Sequence, residues 1–341
     1  MAHRYDMVYL DLPQKCGTER LAFYLAMEEW AAADLPADRD YFFAWRVAPT
    51  VICGRNQHIS REVRIDLCRE MGIDVVRRRS GGGCVYADMN NLMLSYICPN
   101  SEDVTRMFDG YTAMIASFLN SLDIPAEVSG RNDICISGRK VSGNAFYHLP
   151  SHSIAHGTML FDFDPNILGR ILTPSRAKVL GKGVHSVPAR VTCLRAEGLE
   201  MDIETFTAAI RNALTSESYT LTDKDIRAIH QLEQRYYDPS FLRISDNSDT
   251  PSTRIDGVGD VAVDIRMGDD GLIVAVGIFG DFFCTDTVAL DHLCTALEGV
   301  TAENVPHIVR REYLHDTIRG LDAHALTSLI LRSIELVNKT S

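Results

Sequence analysis

Arg77-Arg78-Arg79-Ser80-Gly81-Gly82-Gly83-Cys84-Val85-Tyr86 sets three cations directly before a glycine turn and an extended apolar run. Glycine admits positive φ and close approach of peptide N–H groups, while arginine forks match phosphate or carboxylate oxygens in pairs. Such a stretch is suited to holding an anion against bare backbone. It is neither of the two commonest phosphate loops. No Gly-Lys-Ser/Thr follows, and Leu92-Met93-Leu94-Ser95-Tyr96-Ile97 reads as a strand where a dinucleotide fingerprint would open a helix. Taken alone, the triple glycine also fits a plain hairpin turn. A second cluster lies about fifty residues on, at Gly130-Arg131-Asn132-Asp133-Ile134 and Gly138-Arg139-Lys140-Val141-Ser142-Gly143-Asn144-Ala145. His148, His152 and His156 have a spacing that would suit a metal on a helix, but Pro150 and its turn-like neighbours exclude the helix and with it a zinc site.

The elements that must position these residues mix helices and strands without a regular alternation. Leu21 to Ala33 has helical spacing; Tyr41 to Trp45 and Thr50 to Cys53 read as a pair of strands split by Pro49. Arg61 to Met71 predicts a helix stopped by Gly72, before a strand from Ile73 to Val76 that delivers the arginines. Val104 to Leu122 is a longer amphipathic helix, followed by short strands around Ile134, Val141 and Met159. Asp164 to Leu180 holds room for a short helix, and the Gly181-Lys182-Gly183 triplet points to a mobile loop. The pattern predicts an α+β fold, helices covering a mixed or antiparallel sheet. Ser245 to Thr253 is polar throughout and reads as a linker. Beyond it, Val261, Val263 and Ile265 alternate, Asp269-Asp270-Gly271 turns, Leu272 to Phe279 returns, and three helical segments follow. The expected domains are 1–243, a linker at 244–253, and a small α+β unit at 254–341.

A net charge of −12 disfavours a general nucleic-acid partner, because that affinity rests on neutralising phosphates. The arginine run stands out against this acidic background. Nine cysteines, an odd number with no CxxC, point to buried reduced thiols rather than a disulfide framework. No apolar run approaches the roughly 20 residues that cross a bilayer, and the first residues lack a signal-peptide core. The expected location is the cytoplasm.

In order along the chain, RRxSGGGxVxxD from Arg77, GRND, GRKVSGxA, His156-Gly157-Thr158 and KGxxSVxxRVTxL from Lys182 to Leu194 resemble the motifs of the lipoate-protein ligase A family. Leu25-Ala26-Met27-Glu28-Glu29 and Gly54-Arg55-Asn56-Gln57 resemble its early motifs, and Gly280-Asp281-Phe282-Phe283 resembles a stretch of its small C-terminal domain. The resemblance implies a catalytic domain of the biotin/lipoate ligase type. It also implies a two-step reaction in which (R)-lipoate and ATP, with Mg²⁺, give lipoyl-adenylate, whose lipoyl group passes to a carrier lysine. On that resemblance Lys140 is the catalytic residue. Arg77, Gly82, Gly83, Cys84, Val85, Asp133, Lys140 and Lys182 would meet ATP or the adenylate; Lys140, Ser80, Gly81, His156 and Gly157 would meet lipoate; Asp133 is a candidate for the metal. The implied partners are lipoyl domains of 2-oxoacid dehydrogenase acyltransferase subunits or the glycine cleavage H protein, with no nucleic acid and no membrane. Two departures stand out: Ala87-Asp88 replaces the family's His-Asp, and Cys84 stands where many relatives have alanine. The open alternatives are an ATP-independent octanoyl or lipoyl transferase using a cysteine thiolate, for which Cys135 is placed close to Lys140, and a non-catalytic carrier-binding protein.

Overall fold

The computed structural model describes residues 6–340 apart from 15, 101–103, 131, 174–189, 244–249, 251 and 315. The chain divides into two compact units. One comprises Met1–Cys53, Val63–Arg78 and Cys84–Leu242; the other comprises Gly54–Glu62, Arg79–Gly83 and Arg243–Ser341.

The strands of the first unit are β1 (Met7–Asp11), β2 (Asp40–Trp45), β3 (Thr50–Cys53), β4 (Asp74–Arg77), β5 (Val85–Ala87), β6 (Leu92–Pro99), β7 (Ala126–Ser129), β8 (Asp133–Ile136), β9 (Arg139–His148), β10 (His152–Met159) and β11 (Thr215–Thr220). Eight form one sheet in the order β11-β1-β2-β6-β10-β9-β8-β7, and three form another in the order β4-β3-β5. The large sheet is mixed: β1 runs parallel to both β2 and β11, while the pairs from β2 to β7 are antiparallel. This is the α+β architecture read from the sequence.

Helix Leu21–Asp34 covers one face of that sheet, packing on β6, β10 and a second helix, Asp223–Glu233. Its alanines favour helix, and twelve of its residues are buried, so it is an internal helix rather than an amphipathic surface one. Helix Val104–Asn120 lies on the opposite face. There Tyr111 stacks on Tyr96 at 5.7 Å and Phe108 meets Phe146 at 4.8 Å.

The two strands expected around Pro49 are present as β2 and β3, in different sheets: β2 lies between β1 and β6, and β3 between β4 and β5. One local expectation is corrected. The helix expected from Arg61 to Met71 is two short pieces, Ile59–Glu62 and Ile65–Glu70. Val63 bridges to Leu172, and the Arg64 N–H donates to the Ile171 carbonyl at 2.9 Å, so a long-range pairing interrupts the local helical preference.

In the second unit β12 (Thr253–Ile255), β13 (Gly259–Met267) and β14 (Ile273–Gly280) make an antiparallel sheet; helices Thr287–Leu297 and Ala323–Thr340 pack on it, and helix Val305–Glu312 packs on those two helices. Val261, Val263, Leu293, Val309, Leu326 and Ile330 anchor its core. Among the described residues no helix is long and apolar enough to cross a membrane.

Candidate active site

β8 and β9 form a hairpin whose pairing places Asp133 opposite Gly143. Gly143 in turn faces Thr158 on β10, so Asp133, Gly143, Thr158 and His156 share one face of the sheet by strand alternation. A register shift between Ile134 and Cys135 brings Lys140 opposite Cys135 and turns its long side chain back over Gly143. The Lys140 Nζ reaches Asp133 Oδ1 at 2.6 Å, and a Cβ at Gly143 would collide with that ammonium. Glycine is therefore what lets the lysine lie along the strand. The side chains of Lys140 and Asp133 remain 30% and 20% exposed, so the cation is confined yet reachable.

The same hairpin is pinned from both sides. Asn132 and Asn144 exchange three hydrogen bonds of 2.8–3.0 Å through backbone and amide groups. The Thr192 N–H donates to the Lys140 carbonyl at 2.8 Å, and Arg139 pairs with Glu197 at 2.5 Å. Lys182 and the Gly181-Lys182-Gly183 triplet of the expected mobile loop lie outside the described residues.

Deeper on this face, Glu28 is fully buried and accepts from the His156 ring at Nδ1 (2.9 Å), Ser95 Oγ (2.6 Å) and Tyr147 OH (3.3 Å). The Trp45 indole N–H donates in turn to Ser95 Oγ at 2.9 Å. A carboxylate acceptor places the imidazole proton on Nδ1 and fixes the ring of His156. Gly157 follows, and a Cβ there would overlap the Asn144 amide. Sequence reasoning quoted Glu28 within a motif but gave it no role, and it missed Ser95 and Tyr147. The available signal was a pair of acids, Glu28-Glu29, inside an otherwise apolar helix.

Arg77 ends β4 and is only 1% exposed, its Nε donating to the Leu242 carbonyl at 3.0 Å. Arg78 is also buried, with Nη1 donating to the Ile52 carbonyl at 3.2 Å. Burial pushes its pKa down. Two of the three arginines are thus interior groups held by carbonyls. Cys84 and Val85 stand at the start of β5, half-buried.

Ser80, Gly81, Gly82 and Gly83 are grouped with the second unit. Within it the Gly82 N–H donates to the Phe282 carbonyl at 3.2 Å, and a Cβ at Gly81 would strike that same carbonyl. Gly82 has φ +89, a conformation that only glycine takes without strain. Segment Gly54–Glu62 is held alongside: the Gly280 N–H donates to the Asn56 carbonyl at 2.7 Å, and His58 Nε2 pairs with Asp264 at 2.9 Å beneath Phe279.

Burial raises the pKa of the Cys135 thiol, with Asp133 adding to the effect. That environment favours the protonated thiol and opposes use of Cys135 as a thiolate nucleophile. Among the described residues no cluster of three or more His, Cys, Asp or Glu side chains could hold a metal, and Asp133 already has a cationic partner.

A model of the lipoyl protein ligase A/B catalytic domain matches residues 20–215. The chain is 32% identical over 318 residues to lipoate–protein ligase 1 of Staphylococcus aureus, covering 90% of this chain and 95% of that protein. It is 33% identical over 271 residues to the lipoate-protein ligase LplJ of Bacillus subtilis, covering 76% and 81%. Among solved structures, P. falciparum LipL1 in complex with lipoate superimposes with a TM-score of 0.74 at 20% identity, over 96% of this chain and 99% of the other. A lipoate-protein ligase A bound with ATP gives a TM-score of 0.58 at 21% identity, over 72% and 100%. At such identities these two likenesses concern the fold.

Proposed function

This chain belongs to the lipoyl protein ligase A/B catalytic-domain family, and from that membership we propose that it is an ATP-dependent lipoate-protein ligase. The observation that carries the reading at the level of residues is the Lys140 ammonium, laid over Gly143 and held by Asp133 at 2.6 Å on the sheet face that also bears His156. In the first step the lipoate carboxylate attacks the α-phosphorus of ATP and pyrophosphate leaves. In the second the amine of a carrier lysine attacks the acyl carbon and AMP leaves. Both steps gather negative charge, on phosphoryl oxygens and then on the acyl oxygen, where a fixed compact cation is most effective. Lys140 is assigned that role in both. Asp133 orients it, and on release of the ion pair can meet ribose or the incoming amine.

His156 and Gly157 are assigned to the lipoyl chain, with Glu28 holding the histidine ring. Arg77, Gly82, Gly83, Cys84, Val85 and Lys182 are assigned to the nucleotide, and Ser80 and Gly81 to lipoate. Mg²⁺ would be carried by the triphosphate, which supplies the oxygen ligands this ion prefers; Asp133 is the residue nearest in chemistry to a protein ligand for it. The acceptor is the lysine of a lipoyl domain, from an acyltransferase subunit or the glycine cleavage H protein. Use of ATP and such carriers fits the cytoplasm.

The test is the intact mass of a lipoyl domain incubated with this protein, lipoate, Mg²⁺ and ATP. One lipoyl addition that disappears when ATP is omitted is expected. An ATP-independent gain from an acyl-carrier donor would replace the ligase reading with the transferase.

A further inference from the structure

Cys53 and Cys84 hold their Sγ atoms 3.1 Å apart. Neither thiol is used in adenylation or transfer. Their closeness is built into strand pairing: β3 and β5 run antiparallel with Ile52 opposite Val85, and the same register makes Cys53 and Cys84 the next facing pair. Facing residues of antiparallel strands have Cα atoms about 4.5–5.5 Å apart, inside the about 4.4–6.8 Å that a disulfide spans. On its other side Cys53 pairs with Arg77 of β4, and its carbonyl accepts from the Arg78 N–H at 2.9 Å. The buried Arg78 guanidinium feels both thiols. A cation beside cysteines is the electrostatic setting in which thiols exchange and oxidise readily. Cys53 is buried while Cys84 is half-buried. An oxidant therefore meets Cys84 first, and Cys53 stands behind it as the resolving sulfur.

We propose that Cys53 and Cys84 form a redox modification site, which takes a small disulfide or a hydroperoxide and closes to a reversible cross-strand disulfide at the foot of the glycine loop. With a disulfide RSSR, the Cys84 sulfur attacks one sulfur and expels RS⁻, which takes up the thiol proton. The Cys53 sulfur then attacks Cys84 Sγ and expels the second RSH. Two cysteine thiols are oxidised and one disulfide is reduced to two thiols. With a hydroperoxide, Cys84 becomes a sulfenic acid as ROOH is reduced to ROH, and Cys53 condenses with it, releasing water. Closure draws the sulfurs to about 2.05 Å. It ties Cys84, the residue that ends the Gly81-Gly82-Gly83 turn, to the central strand that also carries Arg77 alongside. The effect on catalysis rests on the proposed function, which gives this backbone to the nucleotide: the oxidised enzyme loses ATP-driven pyrophosphate release at least tenfold, and dithiothreitol restores it.

The full chain is incubated with oxidised glutathione, alkylated, and mapped as peptides without reduction, while pyrophosphate release is followed in parallel. The expected result is a Cys53–Cys84 linked peptide lacking two hydrogens, formed in step with the loss of activity. Cys53→Ala is expected to retain the reduced enzyme's activity and resist the oxidant. Absence of the link in the wild-type chain, or a link from Cys53 to Cys68 in its place, overturns the site. Undiminished pyrophosphate release by linked protein overturns the switch. A chain that forms the link yet releases no pyrophosphate even when reduced upholds the cysteine site and refutes the ligase reading instead.

Discussion

Lys140 and Asp133 form an ion pair that is confined by Gly143 and partly exposed. On the proposed function, a residue so placed contributes to the transition state more than to the fold. Lys140→Ala is expected to lower adenylate formation by about 10²–10³-fold, read as pyrophosphate release, with an unchanged urea midpoint. Lys140→Arg should not rescue it, because a planar fork cannot occupy the path of a compact ammonium over a glycine. Wild-type pyrophosphate release by Lys140→Ala would refute the assignment. Glu28 has the opposite character. It is fully buried and accepts from three side chains. Glu28→Ala leaves those donors without their acceptor, and a loss of about 3 kcal/mol or more is expected in chemical denaturation. A change below about 1 kcal/mol would mean that the network is dispensable. Cys135→Ser should lipoylate at close to the wild-type rate, since burial disfavours a thiolate there. An acyl group trapped on Cys135 would count for the transferase.

At the scale of elements, the β8–β9 hairpin was legible from its sequence. Short strands around Ile134 and Val141 with a glycine-containing turn between them were read directly, whereas the cross-bonding of Asn132 with Asn144 and the need for a residue without Cβ at Gly143 came only with the fold. The division of β2 and β3 between two sheets was not legible. Both are short apolar strands, and only partners far along the chain, Ile97 for Tyr41 and Tyr86 for Val51, decide which sheet takes each. The broken helix after Ile59 has the same cause, as does the Cys53–Cys84 pairing across 31 residues. The Glu28 network was half legible: two acids in an apolar helix signal a buried charge, but not that Ser95, Tyr147 and His156 receive it. In the second unit, burial raises the Cys284 thiol pKa to about 12 and that of Cys294 to about 11, from an ordinary value of 9.0. The folded state keeps both protons where the unfolded chain gives them up. Stability contributed by these thiols is therefore complete below pH about 9 and declines as pH rises toward about 11–12. Urea midpoints should fall between about pH 9 and pH 11, and fall less in the Cys284→Ala, Cys294→Ala double variant. An equal fall in both proteins would exclude these thiols as the cause.

Across the whole molecule, the chain contributes Gly54–Glu62 and Arg79–Gly83 to a unit otherwise made from its last residues. Truncation after Arg243 removes Phe282 from Gly82, Gly280 from Asn56 and Asp264 from His58. Adenylate synthesis is expected to suffer far more than transfer from preformed lipoyl-adenylate, because the stripped loop is the one assigned to the nucleotide. Two half-reaction assays on the truncated, folded chain check this, and equal loss in both would leave the C-terminal residues a purely structural part. The Gly82–Phe282 hydrogen bond also sets a timetable for synthesis. Two hundred residues separate its donor from its acceptor. At about 5–20 residues per second, a ribosome needs roughly 10–40 s to travel from one to the other. For that interval the nascent glycine loop has no Phe282 carbonyl to bond, and the contact can form only after Phe282 itself has been added to the chain.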